Sequence, residues 1–199
     1  MNRNSFFQML KELNPQEIAA HSVLNHHVEG MNYLCLHRSP KLTVKLYFID
    51  PARIDKTPGS MLVTPHTHRY AFESTVLTGQ LIHETFREGV DSDHDRFVYA
   101  PETKMRLGTG SVGLWQRSVN THIARTNTDS YWVDTDEIHN LIVPDRPVLL
   151  GLVQFADVLP TSTVYLRKGT EMVFPQSRET SPVEAWALRN QALKMMEVA

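Results

Sequence analysis

His66 and His68 stand two positions apart in Pro65-His66-Thr67-His68-Arg69-Tyr70. On an extended backbone side chains alternate with period two, so both imidazoles point to one face and can reach a single metal ion. Glu73 comes five residues after His68, the wrong parity for that face of one straight strand. A tight turn around Arg69-Tyr70 into a second strand over 72–77 would return its carboxylate to the same ion. A fourth donor, His139, lies far downstream in Trp132-Val133-Asp134-Thr135-Asp136-Glu137-Ile138-His139. Three imidazoles and a carboxylate suit a first-row divalent metal.

The elements that must position these residues read as strands between helical ends. Ser5 can cap a first helix through Leu13. Asn14-Pro15-Gln16-Glu17 combines an N-cap, a proline at the first helical position and an acid three residues on, and predicts a second helix to about Val28, stopping at Gly30. Ser181-Pro182-Val183-Glu184 repeats the signature and opens a helix through about Met196. Between them, 41–49 alternates strictly, with Leu42, Val44, Leu46 and Phe48 on one face and Thr43, Lys45 and Tyr47 on the other. Further strands are predicted at 61–63, 72–77, 80–86, 97–100, 111–117, 121–127, 130–133, 139–143, 147–155 and 162–167, punctuated by turns such as Asp50-Pro51, Thr57-Pro58-Gly59 and Thr78-Gly79. Many short strands at this spacing predict an antiparallel sandwich or barrel in a single domain, 1–199.

Composition narrows the function classes. A formal net charge of −2 gives no electrostatic reason for a nucleic acid or an anionic membrane as partner. No run approaches the ~20 apolar residues of a membrane span, and 1–7 lacks the apolar stretch of a signal peptide. Cys35 is the one cysteine, so no intrachain disulfide forms and a cytoplasmic location is expected. Between Leu34 and Leu36 it reads as a buried small hydrophobe.

With those residues in place, the chain resembles the cupin superfamily, whose first motif is G-x5-H-x-H-x3,4-E-x6-G. Gly59, His66, His68, Glu73 and Gly79 match it with one residue more before the first His and one fewer before the last Gly. The second motif, roughly P-x-G-x2-H-x3-N, is represented by His139, with Asp134, Asp136 and Val143 replacing its other members. The resemblance implies an all-β fold, the double-stranded β-helix jelly roll, over 41–167, with a helical N-terminal extension (1–30) and a C-terminal helix (181–197). It also implies metal ligands His66, His68, Glu73 and His139. A narrower likeness links the chain to thiol dioxygenases, through His66, His68, Thr78-Gly79-Gln80-Leu81 and the Tyr131, Asp134, His139 series. That branch holds its substrate carboxylate with an Arg upstream of the first core strand, a position Arg38 would fill. It lacks a carboxylate ligand, whereas this chain has Glu73, and Tyr165 lies too far downstream to match its tyrosine.

Other patterns are weaker. Most of the remaining histidines read as surface residues, and His26-His27 cannot both face one ion on a helix; His83 points inward only if alternation survives the turn at Gly79-Gln80. Gly108-Thr109-Gly110-Ser111-Val112-Gly113 spells a dinucleotide fingerprint but is followed by strand-like residues rather than a helix. Asp91, Asp93, Asp95 and Glu102 imitate an EF-hand loop without its glycine or flanking helices, and a solvated acidic loop is expected. Arg38, Lys45, Tyr47, Arg69, Tyr70 and Tyr131 can touch a substrate, with Arg38 and Tyr47 the preferred contacts.

The expected function is that of a mononuclear non-haem Fe(II) dioxygenase acting on a small organic substrate with O₂, with Glu73 either ligated or acting as catalytic base. Ni, Mn, Co or Zn are alternative metals. The rival readings are a non-redox metal-dependent isomerase, lyase or hydrolase, and a non-catalytic small-molecule-binding cupin. The terminal helices are expected to cover the jelly-roll exterior or to form a homodimer interface.

Overall fold

Alternation along each strand divides the apolar residues between two faces, and the tertiary structure uses both. The structure, a computed structural model, describes residues 1–54, 64–100, 105–124, 130–143, 146–171 and 176–198. Gly59 and the strand expected at 61–63 lie outside them.

In chain order the elements are helices α1 (Arg3–Glu12) and α2 (Pro15–Ala19), then strands β1 (Val23–Leu24), β2 (Met31–Arg38), β3 (Leu42–Ile49), β4 (Phe72–Thr78), β5 (Gln80–Ala100) and β6 (Met105–Ile123). Strands β7 (Ser130–Val133), β8 (Ile138–Ile142), β9 (Val148–Phe155), β10 (Ser162–Arg167) and β11 (Arg178–Glu179) follow, and helix α3 (Pro182–Val198) closes the chain. One antiparallel sheet runs β11-β1-β2-β3-β9-β4-β7. In the other, β5 pairs β6 along one edge, and β8 and then β10 along the other. Antiparallel sheets with helices confined to the ends are consistent with a β-sandwich or jelly roll.

The seven-stranded sheet buries both faces. Leu34, Leu36, Val44, Leu46, Phe48, Leu77, Leu149 and Val153 pack outward against Phe6, Leu10 and Ile18 of α1 and α2 and Ala185, Ala192 and Met196 of α3. The terminal helices therefore cover the sheet exterior. The alternate residues Tyr33, Cys35, Tyr47, Ile49, Phe72, Val76, Leu150 and Leu152 face the second sheet. Polar and aromatic residues on that inner face distinguish it from the aliphatic outer one.

The capping signals at Asn14 and Ser181 act as the sequence predicts, but α1 is capped by Asn2, whose side chain accepts from the Ser5 N–H at 3.0 Å, so Ser5 lies in the first turn of the helix and not at its cap. The Asn14 side chain accepts from the Glu17 N–H at 3.0 Å while the Asn14 N–H donates to Glu17 Oε2 at 3.1 Å, and Ser181 and Glu184 repeat the arrangement around α3. Helix α2, however, is five residues long and does not reach Val28. Ser22 Oγ donates to the Ile18 carbonyl and accepts the Cys35 N–H, turning the chain into β1. Asn25 (φ 53°) and His27 (φ 68°) then adopt left-handed conformations that no helix permits.

The larger difference is in β5 and β6. The acidic stretch around Asp91–Asp95 and the glycines at 108–113, expected as loop and turns, lie within two long paired strands whose register shifts between Thr85 and Phe86, Gly89 and His94, and Asp95 and Phe97. Asp91 accepts from Trp115 Nε1 at 2.9 Å and Asp95 from Ser111 Oγ at 2.7 Å, so these carboxylates serve cross-strand contacts. Strand β2, which the sequence does not signal, sits between β1 and β3.

Gly151 in β9 lies directly under the fully buried Phe6 ring, and a Cβ there would overlap it. Gly151→Ala should therefore destabilise the protein by about 1–3 kcal/mol, and Phe6→Leu in the same chain should restore part of the loss. Thermal melts of both single variants and the double variant read this out.

Candidate metal centre

The segment carrying His66 and His68 is held in place by its backbone. His66 exchanges both peptide hydrogen bonds with His139 of β8, at 2.9 and 3.0 Å. On its other side the Pro65 carbonyl accepts from Tyr165 N–H at 2.9 Å and Thr67 N–H donates to the Thr163 carbonyl at 2.8 Å, both in β10. Pro65 has no N–H to donate, so a position that only accepts suits it. The segment thus lies between β8 and β10, bridging both.

This places His66, His68 and His139 together, their potential ligand atoms within 4.8 Å of one another. Nε2 of His68 and Nε2 of His139 are 2.9 Å apart. Two nitrogens on adjacent octahedral positions of an ion at about 2.1 Å would be about 3 Å apart, so the spacing fits a shared cation. Nδ1 of His66 lies 2.8 Å from the Thr64 carbonyl, which only accepts. That nitrogen therefore carries the proton and Nε2 keeps a free lone pair. Burial lowers the pKa of all three; His68 and His139 fall well below the usual value, with further contributions from neighbouring imidazoles. Neutral imidazoles are the form that ligates a metal.

Glu73 is not part of this group. The chain turns at 69–71, pinned by hydrogen bonds from Val158 and Leu159 N–H to the Arg69 carbonyl, from Phe155 N–H to the Ala71 carbonyl, and by the Arg69–Asp157 ion pair at 2.8 Å. Strand β4 then starts with Phe72 facing inward, its ring 4.9 Å from that of His68. Parity sends Glu73 to the opposite face, where its carboxylate pairs with the Met1 amino group at 2.6 Å. The turn that the sequence suggested exists, but its phase differs by one residue from the one Glu73 needs.

His83 is the neighbour the sequence left open. Alternation through the start of β5 turns Leu81, His83 and Thr85 inward, and His83 Nε2 lies 3.1 Å from His139 Nδ1. A proton on His139 Nδ1, donated to His83, leaves His139 Nε2 free for a metal. Burial lowers the His83 pKa to about 4, which keeps it able to accept. Tyr131 stacks on both His83 (4.7 Å) and His122 (4.3 Å), whose rings are 6.1 Å apart. Beyond them a polar cavity of about 400 Å³ is lined by His83, Arg117, Asn120, His122 and Glu137.

His26 and His27, set aside as surface residues on a helix, also sit near this centre. The His26 ring meets Tyr33 edge-on at 4.9 Å. Burial dominates the lowered pKa of both, His27 falling to about 3, with repulsion from His68 acting on His26 and from His66 on His27. Their approach depends on the left-handed turn at 25–27, which sequence periodicity does not reveal. Tyr47 is buried on the inner face, 5.4 Å from Tyr33. Arg38 ends β2 at an exposed position and acts on Lys45 only as a like charge.

No protein-family model and no curated protein matches the chain. Among solved structures it is similar to Streptomyces albus HEPD with 2-hydroxyethylphosphonate and Fe(II) bound (12% identity, TM-score 0.37) and to hydroxypropylphosphonic acid epoxidase from S. wedmorenis (14% identity, TM-score 0.35). The matches cover 70% and 69% of this chain but only 25% and 56% of those proteins. The polyketide cyclase RemF from Streptomyces resistomycificus matches over 88% of this chain and 94% of its own, at 9% identity and a TM-score of 0.31.

Two outcomes are expected of these geometries. His83→Leu should weaken metal affinity ~10–100-fold while His83→Gln, which keeps a polar partner for His139, should recover part of it; competition with a chromophoric chelator measures both. His27, His68, His83 and His139 all have folded pKa values below 6.5. As pH falls through 6.5 the unfolded chain takes up protons first, so stability is full above 6.5 and declines toward about 3. Melting temperatures of metal-free protein across that window test the sign.

Proposed function

We propose that the protein is a mononuclear metal-dependent enzyme of cupin type, with His66, His68 and His139 as ligands and Fe(II) as the metal, oxygenating a small organic substrate with O₂. The observation that carries this reading is the convergence of three neutral imidazoles, two with their outer nitrogens already engaged by Thr64 and His83. Bound Fe(II) would supply redox chemistry toward O₂ and Lewis acidity toward a coordinated substrate. The chain's own residues orient the site: the Thr64 carbonyl and His83 hold two rings, and Phe72 and Tyr70 pack against His68. These apolar faces limit water around the donors, which favours neutral imidazoles. Glu73, on the other side of the sheet, neither ligates nor acts as base in this reading.

A second reading follows from the absence of a carboxylate in the three-histidine group: three imidazoles with an open position are also a zinc-type set for non-redox Lewis-acid catalysis. No described helix is long and apolar enough to cross a membrane.

Elemental analysis of anaerobically purified protein should find about one metal ion per chain. His66→Ala and His139→Ala should lose it, and Glu73→Gln should retain it. Full retention in the histidine variants would sink the site. O₂ consumption by Fe(II)-loaded protein with candidate substrates favours the oxygenase; turnover that persists without O₂ favours the second reading.

A further inference from the structure

Lys45 projects from β3 into the space between the sheets, on the face shared with Tyr47 and Ile49, and is 9% exposed. Its register partners are Cys35 on β2 and Leu152 on β9, both of the inner core. Nζ lies 5.1 Å from the centroid of the Tyr33 ring and 6.0 Å from that of Tyr70. The Tyr70 ring is in turn 5.3 Å from His68, so one aromatic side chain separates the ammonium from the proposed metal ligands.

Among the described residues no carboxylate lies within ion-pair distance of Nζ. Asp157, whose field reaches Lys45, is engaged by Arg69 at 2.8 Å. Arg38 adds positive charge from the exposed end of β2. Glu73 is on the opposite face of the sheet, and Glu137 lies 3.4 Å from His83 Nε2, the nitrogen that also meets His139. Burial lowers the Lys45 pKa to about 8, which leaves it mostly protonated at neutral pH. A buried ammonium without a counter-ion is unfavourable, and the same interior would hold a divalent cation on three neutral ligands. An anion entering that space would be attracted by both charges. The phenols of Tyr33, Tyr47 and Tyr70, whose pKa values burial raises, stay protonated and able to donate.

We propose that Lys45 anchors the acidic end of the substrate, which is a small organic acid bound as its carboxylate, with the rest of the molecule directed past Tyr70 to the three histidines. This rests on the metal-enzyme reading for the far end of the ligand only. The ammonium supplies the charge and the aromatic walls exclude water around it, which strengthens the pair relative to an exposed one.

The test compares ω-hydroxy acids, from glycolate to 5-hydroxypentanoate, with their primary amides on Co(II)-loaded protein, by changes in visible absorption. At least one acid should bind about ten-fold more tightly than its amide, a difference of ~1.4 kcal/mol. Lys45→Met, which fills the same space without charge, should abolish that preference, and Lys45→Arg should keep most of it. Metal content should be the same in all three proteins. Equal binding of acid and amide by the wild type, or a preference that survives Lys45→Met, overturns the proposal. If the wild type takes up no metal, the metal reading fails on its own. The acid-over-amide comparison, read then as a melting shift of metal-free protein, still decides the role of Lys45.

Discussion

The candidate centre depends on a backbone clamp. The segment 64–68 has no regular strand of its own, yet hydrogen bonds to β8 and β10 fix it from both sides. Each such bond contributes only about 0.5–1.5 kcal/mol net, but together they set the relative position of His66 and His139 without relying on side-chain packing. A site that joins residues more than 70 positions apart needs this kind of support, since long-range placement is otherwise the least certain feature of a chain. Because the bonds between His66 and His139 are reciprocal, these two candidate ligands are held in register with each other.

The second requirement is a sheet with two different buried faces. Strands β2, β3, β4 and β9 place aliphatic residues against the helices and a mixed aromatic and polar set against the other sheet. The helix-covered side carries an apolar surface, including Phe6 seated over Gly151. The inner side can then hold imidazoles, phenols and an ammonium, groups that are unfavourable in an aliphatic core. Desolvation on that side keeps the histidines unprotonated and available as ligands.

His83 extends the centre into a layer beyond the three histidines. Its contact with His139 Nδ1 joins the centre to the polar cavity lined by Arg117, Asn120 and His122. The hydrogen bond restricts the ring orientation of His139. Thr64 does the same for His66 through a carbonyl. Two of the three candidate ligands are therefore prepared by fixed partners, one from a side chain and one from the backbone.

What the sequence by itself determined is local. The spacing of His66 and His68, the caps at Asn14 and Ser181, and the alternation of 41–49 each rest on interactions a few residues long, and each has its expected form in the structure. His139 was legible through its strand and its likeness to a known motif. The rest was decided by tertiary structure. A one-residue difference in the phase of the 69–71 turn, pinned by β9 and the segment after it, sent Phe72 inward and Glu73 out. Left-handed residues at 25 and 27 brought two histidines toward the centre that a helix would have kept away. Pairing with β6 drew the acidic stretch of β5 into a long strand against its local turn and loop signals. Side-chain parity is exact along a strand but is reset at every turn, and only the contacts around the turn decide how.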